Sequence, residues 1–313
     1  MILGIDTSCY TTSLAVVDDE GSLLADCRRL LPVAEGACGL AQSQAFFMHL
    51  MQAPQLLRQI YETAAPQALR VVAASTRPRP LPDSYMPVFR VGENMGRMLA
   101  DTLHLPFFAT SHQEAHLAAA LWSLDKPLPQ RRFLALHLSG GTGELLRVEK
   151  KPGGFDLDIV GDCDLAPGQY IDRIGVALGL PFPAGAPLEE LARQAAGSDL
   201  RLPLSVRESH IYFCGPQSAA KRLLDGGTPP CELAYAVFSN IAQSLAQAIL
   251  FAAAENDLYD VVLAGGVMAN SIIKEQLSLL LQDSVQLHFA GPRFAGDNAV
   301  GVALLAGGLE DKL

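Results

Sequence analysis

Two histidines four residues apart, His112 and His116, stand in the apolar run SHQEAHLAAALW. On a helix such a pair shares one face with Cβ atoms roughly 5–6 Å apart, and two imidazoles at that distance can hold one divalent cation. The plain alternative is a core helix with one ring hydrogen-bonded and the other exposed. A zinc-protease signature needs a glutamate directly after the first histidine. Here the order is His-Gln-Glu-Ala-His, which puts Glu114 about 200° around the helix from His112 at roughly 100° per residue. It points away from the histidine face, and protease chemistry is disfavoured.

A third ligand could come from Asp297 in AGDNAVGVALL, between a strand end and a helix start. Its simplest role is a helix N-cap. Helix starts at the carboxyl ends of strands are also where α/β sheets present ligands, so a His–His–Asp set with open coordination positions is the sharper reading. Paired glycines follow apolar strands in LSGGTGE (Leu138 to Glu144) and LAGGVMAN (Leu263 to Asn270). Such turns let backbone N–H groups approach a phosphate or sugar, although hairpin geometry alone also explains them. Asn270 could cap a helix or bond a nucleotide. Asp172, after APGQY, could meet a ribose or adenine, or be a surface carboxylate. A Walker A lysine is missing, and the lone GENMGR is no dinucleotide fingerprint. His49, His104, His210 and His288 lack partners by spacing and read as structural. His137 lies in a strand leading to a Gly-Gly turn and is the remaining histidine of interest.

The elements that must position these groups follow from hydrophobic periodicity. The chain opens strand–turn–strand–strand (ILGID, TSCYTT, SLAVVD, DEGSLL). A helical pattern over 40–64, the strand RVVAAS, a helix near 92–103, the strand PFFAT and the histidine helix follow. The scheme then recurs with FLALHLS, GGTG, ELLRVE and GGFDLDIV, the helix YIDRIGVALGL and a long helix over 231–255. The strand DVVLAG, a helix over 269–282, the strand VQLHFA and a helix from Asn298 complete it. Hairpins followed by βα alternation predict mixed sheets covered by helices, in an α/β fold of two homologous halves. The turns TSCYTT and SGGTG should face one another across a cleft. DKPLPQR divides an N-terminal lobe, 1–125, carrying the histidine pair, from a C-terminal lobe, 126–313, carrying the glycine turns and Asp297.

Bulk properties bound the function. Against 33 acidic side chains stand 23 basic ones, a formal charge of −10, which disfavours a broad non-specific nucleic-acid face. Arg70, Arg77, Arg79, Arg90 and Arg97 gather locally, either as a patch or as scattered surface arginines. Six dispersed cysteines without a C-x-x-C pair fit a reduced cytoplasmic protein. MILGIDTS lacks a basic n-region, so no secretory signal is expected, and IAQSLAQAILFAAA reads as too short to cross a bilayer.

In order and spacing, GIDTSC, HQEAH, SGG, LGLPFPAG, AGGVMAN and GDN resemble the TsaD family over nearly the whole chain. These are tRNA N6-threonylcarbamoyladenosine synthase subunits, formerly called O-sialoglycoprotein endopeptidases. The resemblance implies an ASKHA fold, the actin-like architecture of duplicated ribonuclease H-like halves. It implies one divalent metal, iron or zinc, on His112, His116 and Asp297. It implies an adenylate or ATP held by His137, Leu138, Ser139, Gly140, Gly141, Asp172, Gly185 and Asn270. The implied reaction moves threonylcarbamoyl from threonylcarbamoyl-adenylate to N6 of the adenosine 3′ of the tRNA anticodon. TsaB-like and TsaE-like proteins are the implied partners, and a homodimer is left open.

The chain departs from the family pattern at several positions. Tyr10 and Thr11 replace an acidic pair, Thr142-Gly143 replaces His-Thr after SGG, and TRPRP replaces a glycine-rich loop. CDLAPGQYIDR keeps Asp164, Gly168 and Asp172 but has Gln169 for a glutamate and lacks one aspartate. Cys214-Gly215-Pro216-Gln217 lacks the usual lysine. The resemblance is therefore to a divergent paralogue. Two further readings stay open: a related enzyme with another carbamoyl or acyl acceptor, and a TsaB-like non-catalytic scaffold, against which the histidine pair argues. A kinase of the same superfamily is disfavoured by the missing acidic pair.

Overall fold

The computed structural model describes residues 1–8, 10–34 and 39–309. The N-terminal half runs β1 (Ile2–Ser8), β2 (Thr11–Val17), β3 (Leu23–Leu30), α1 (Gln42–Thr63), β4 (Val71–Arg77), α2 (Phe89–Leu103), β5 (Phe107–Ser111) and α3 (His112–Trp122). The second half opens with β6 (Arg132–Leu138), β7 (Gly143–Lys151), β8 (Gly154–Asp162), α4 (Pro167–Ala177) and α5 (Gly185–Arg193). A two-residue ribbon, β9 (Val206–Arg207) and β10 (His210–Ile211), precedes α6 (Cys214–Asp225) and α7 (Pro230–Asn256). β11 (Asp260–Ala264), α8 (Ser271–Leu281), β12 (Gln286–Phe289), α9 (Pro292–Ala295) and α10 (Val300–Ala306) close the chain.

The duplication is visible in the pairing. One five-stranded sheet has the order β3-β2-β1-β4-β5, and the other has β8-β7-β6-β11-β12. In each, three antiparallel strands are followed by two added in parallel. Short turns permit the antiparallel meander, whereas the parallel additions need helical crossovers. This is the duplicated α/β architecture expected from the alternation of elements, and it agrees with the ASKHA fold that the family resemblance implies.

Two helices settle how the halves meet. α7 is buried along most of its length against α8, α5 and α6, with Val237, Phe238, Ile241 and Leu245 inaccessible. IAQSLAQAILFAAA is thus part of a 27-residue helix, long and apolar enough to cross a membrane. The expectation that it is too short is corrected: it is a core helix, with 78% of its most apolar window buried. α10 returns to the first half and packs on β1, β2, β4 and α3. Its approach depends on glycine, because a Cβ on Gly301 would lie 1.8 Å from the Ala115 carbonyl oxygen of α3, and one on Gly4 2.4 Å from that of Ala299. A shared core of Ile2, Leu117, Phe133, Val262 and Val300 ties both sheets together.

Cys27, Cys163, Cys214 and Cys231 are free thiols. Cys9 and Cys38 lie outside the described residues. The gathered arginines are largely ion-paired: Arg70 with Asp19, Arg79 with Glu144, and Arg90 and Arg97 with Glu93. The dispersed-surface reading of that group describes them better than a basic patch.

Candidate functional site

Helix α3 starts where the N-terminal sheet ends. Ser111 accepts the Glu114 amide at 3.2 Å, while the Glu114 carboxylate accepts from the Ser111 amide at 3.1 Å and its hydroxyl at 2.7 Å. This capping box satisfies the first-turn donors and turns Glu114 away from the histidines, as its angular position predicts. His112 and His116 are left on one face, ring centroids 4.4 Å apart.

Asp297 meets them from the far end of the chain. Its Oδ1 lies 3.2 Å from His116 Nε2 and 3.6 Å from His112 Nε2. One ligand atom from each of the three falls within 4.8 Å of the others. The capping role is taken by Asn298, whose Oδ1 accepts the Val300 amide at 3.0 Å, and the short helix α9 intervenes between β12 and Asp297. Its neighbour's cap leaves the Asp297 carboxylate available to the imidazoles.

A fourth participant, Asp6, was not singled out from the sequence. It is fully buried near the end of β1, and its Oδ1 lies 3.0 Å from His112 Nδ1 while also accepting from the Ser75 hydroxyl. The available signal was a carboxylate inside the apolar strand ILGID. A carboxylate on Nδ1 presents Nε2 to a cation and orients the ring.

The electrostatics match this division. Burial pulls the His112 pKa down, but the Asp6 and Asp297 carboxylates outweigh it and raise it to about 9. Burial and the charge of His112 hold His116 below its ordinary value, against the pull of Asp297. Burial would raise both carboxylates, yet the neighbouring histidines keep Asp297 far down and Asp6 below its usual range. The residues fit a divalent transition metal: two imidazoles and a carboxylate converge, Asp6 supports one ring, and His116 stays neutral readily.

Asp297 also lines a cleft of about 580 Å³ between the halves. Tyr10 and Thr11 from the first half and Ser139 and Gly140 from the second line it together, so the turns expected to face one another do so. Tyr10 reaches across to Phe182, ring centroids 5.7 Å apart. Asp172, Gly185 and Asn270 line the cleft as well. Asn270 caps α8 by accepting the Ile273 amide at 2.9 Å, and its side-chain amide donates to Glu189 at 2.9 Å. Of its two expected roles the cap is present, and its position on the cleft wall is the one a nucleotide contact would need. Asp172 accepts the Ala184 amide at 2.8 Å and pins the turn that leads into Gly185. Glu189, also cleft-lining, escaped sequence reading because nothing in LEELAR marks it out.

The rest of the expected nucleotide set divides differently. The Leu138 side chain is buried in the second-half core, leaving its backbone for any contact. Gly141 follows Gly140 on the open turn, and a Cβ on either would meet nothing within 4 Å. His137 turns out of the cleft and against His116, centroids 4.7 Å apart.

A family model for TsaD, tRNA N6-adenosine threonylcarbamoyltransferase, matches residues 48–304. The chain belongs to the TsaD family. A tRNA N6-adenosine threonylcarbamoyltransferase of Polaromonas sp. is 32% identical over 326 residues, covering 98% of this chain and 90% of that one. One from Thermus thermophilus is 31% identical over 309 residues, covering 97% and 91%. One from Archaeoglobus fulgidus is 29% identical over 303 residues, covering 96% and 88%.

Among solved structures, T. kodakarensis HypF superposes with a TM-score of 0.65 at 15% identity, covering all of this chain (100%) and 48% of that one. Component A of the Acidaminococcus fermentans (R)-2-hydroxyglutaryl-CoA dehydratase gives 0.60 at 17% identity, covering 99% and 98%. These likenesses establish the ASKHA-type fold shared by this TsaD-family chain. Tyr10, Thr11 and Gln169, three positions read from the sequence as departures, all line the cleft.

Proposed function

We propose that this TsaD-family chain transfers the threonylcarbamoyl group from threonylcarbamoyl-adenylate to N6 of the adenosine 3′ of the tRNA anticodon. The observation that carries the reading is the position of Asp297, which joins the histidine pair and also lines the interlobe cleft. In this reading residues 1–125 and 126–313 form the two working lobes. Ser139, Gly140, Gly141 and the Leu138 backbone hold the adenylate phosphate, and Asp172, Gly185 and Asn270 hold the nucleoside. His112, His116 and Asp297 hold iron or zinc.

An ion so bound supplies Lewis-acid polarisation of the carbamoyl carbonyl. The donor is already activated, so the chain needs no nucleophile of its own. Nitrogen N6 forms the bond to the carbamoyl carbon, the bond from that carbon to the adenylate oxygen breaks, AMP departs and the amine releases a proton. The work of the protein is to hold donor and amine in one orientation inside the cleft. Cytoplasmic tRNA is the acceptor, and TsaB-like and TsaE-like proteins act as partners.

The direct test incubates the purified protein and those partners with threonylcarbamoyl-adenylate and unmodified tRNA, followed by mass spectrometry of the nucleosides. Threonylcarbamoyladenosine should appear and should vanish with His116→Ala. Protein that holds its metal and binds the adenylate, yet leaves tRNA unmodified, sinks the acceptor assignment. The second reading, transfer to another carbamoyl or acyl acceptor, is favoured by Tyr10, Thr11 and Gln169, which replace acidic groups of the family on the cleft wall.

A further inference from the structure

The two histidines of the site ride on a capped helix, but Asp297 does not. It stands in the link 296–299 between α9 and α10, where no helical ladder fixes the backbone. Its carboxylate meets His116 only if side chains hold that link in place. The neighbouring residues are anchored: the Ala299 amide donates to the Ser13 hydroxyl at 2.9 Å, and the Asn298 side-chain amide donates back to the Gly296 carbonyl at 2.9 Å. The Asp297 main-chain carbonyl is reached from the opposite sheet, by Arg28 of β3.

Strand pairing explains how an arginine so far away in sequence arrives there. Arg28 and Asp26 lie opposite Ser13 and Ala15 of β2, and cross-strand partners share a face. Ser13 bonds the Ala299 amide and Ala15 packs in the core shared with α10, so the arginine and the aspartate face that helix too. The Asp26 side chain, only 2% exposed, accepts from Nε and Nη2 of Arg28 at 2.7 Å each. This two-pronged grip fixes the guanidinium plane. The remaining nitrogen, Nη1, is thereby aimed at the carbonyl oxygens of Arg293, at 2.8 Å, and of Asp297, at a longer 3.4 Å. Those two carbonyls bracket the passage from α9 into the link. Arg293 shares Asp26 through its own Nη2 at 2.9 Å, and its exposed guanidinium and that of Arg28 both lie over the Phe294 ring.

We propose that Arg28 is the positioning residue for Asp297, clamping the main chain of the link to the first-half sheet so that the carboxylate arrives at the histidine pair. One rigid, planar group bonds a carboxylate and two carbonyls at once, which a lysine, a single point charge, does not reproduce. The expected consequence for cation binding rests on the metal reading given above, whereas the clamp itself is a matter of metal-free geometry.

The test therefore has two readouts. In metal-free crystals of Arg28→Met, where Asp26 keeps Arg293, the Asp297 carboxylate should have left His116, to which Oδ1 lies 3.2 Å from Nε2 when Arg28 is present. In solution, the folded variant loaded with cobalt should show an altered visible spectrum, and chelator competition should show affinity reduced about tenfold or more, the scale of losing a supporting group. Arg28→Lys should behave alike, and it serves if methionine prevents folding. Arg293→Ala deprives Asp26 of its other arginine but leaves both clamped carbonyls, so its cobalt spectrum and affinity should match wild type. An unmoved carboxylate or wild-type affinity in a folded Arg28 variant overturns the proposal, as does an equal loss in Arg293→Ala. Wild type that takes up no zinc, iron or cobalt removes the metal reading instead, and the crystal structures alone then decide the role of Arg28.

Discussion

Asp6 Oδ1 lies 3.0 Å from His112 Nδ1 at the junction of β1 and α3, with the carboxylate fully buried and the ring partly so. This contact determines which imidazole nitrogen is offered to a cation. Asp6→Asn keeps the size and a hydrogen-bonding group but removes the charge. Metal affinity should fall about 10–100-fold, the usual effect of losing such a supporting carboxylate. Chelator competition measures it, and affinity within twofold of wild type would show that Asp6 merely fills space.

Gly301 touches the Ala115 carbonyl with no room for a side chain. Gly301→Ala should push α10 off α3, destabilising the fold by about 1–3 kcal/mol or more. Because Asp297 precedes this helix, metal content should drop along with the denaturation midpoint. A variant with normal midpoint and full metal occupancy would contradict the packing argument.

The metal-stripped protein should be most stable near pH 6.5. His112 keeps its proton to about pH 9 when folded, against an ordinary 6.5, so its contribution is complete below pH 6.5 and is lost as the pH climbs to about 9. His49, His116 and His137 have lowered values. The unfolded chain takes up their protons first, and stability therefore also declines as the pH falls below 6.5. Urea midpoints at pH 5.5, 6.5 and 8.5, each about a unit or more apart, should trace this dome. A His112→Gln protein should lose its alkaline slope. A slope equal to wild type would place its origin elsewhere.

Asn270 does two jobs through different atoms. Asn270→Asp retains the oxygen that caps α8 but replaces the amide donor with a carboxylate facing Glu189, so adenylate binding should weaken and stability should fall through that repulsion and not through the cap. Asn270→Ala should lose both, with about 1 kcal/mol of stability gone with the cap. Calorimetric titration with an adenylate analogue distinguishes them. Equal binding in the two variants and wild type would remove Asn270 from the nucleotide site.

The legible part of this protein is the part governed by local periodicity. The i,i+4 histidines, the capping of α3 by Ser111 and Glu114, the glycine turns and the repeated order of elements all depend on neighbours a few residues away. The helical pattern over 231–255 also matches α7, Pro230 to Asn256; IAQSLAQAILFAAA is only its most apolar part, which is why that segment alone reads as too short to cross a bilayer. The site itself depends on long-range closure. Asp297 reaches His116 across 181 residues and Asp6 reaches His112 across 106. Those meetings occur because α10 folds back onto the first sheet, and glycines 4 and 301 allow it close enough. The orientation of His137 is likewise tertiary. A strand pattern assigns it one of two faces, but only the packing of α3 against the second half decides that this face ends on His116 instead of on the cleft.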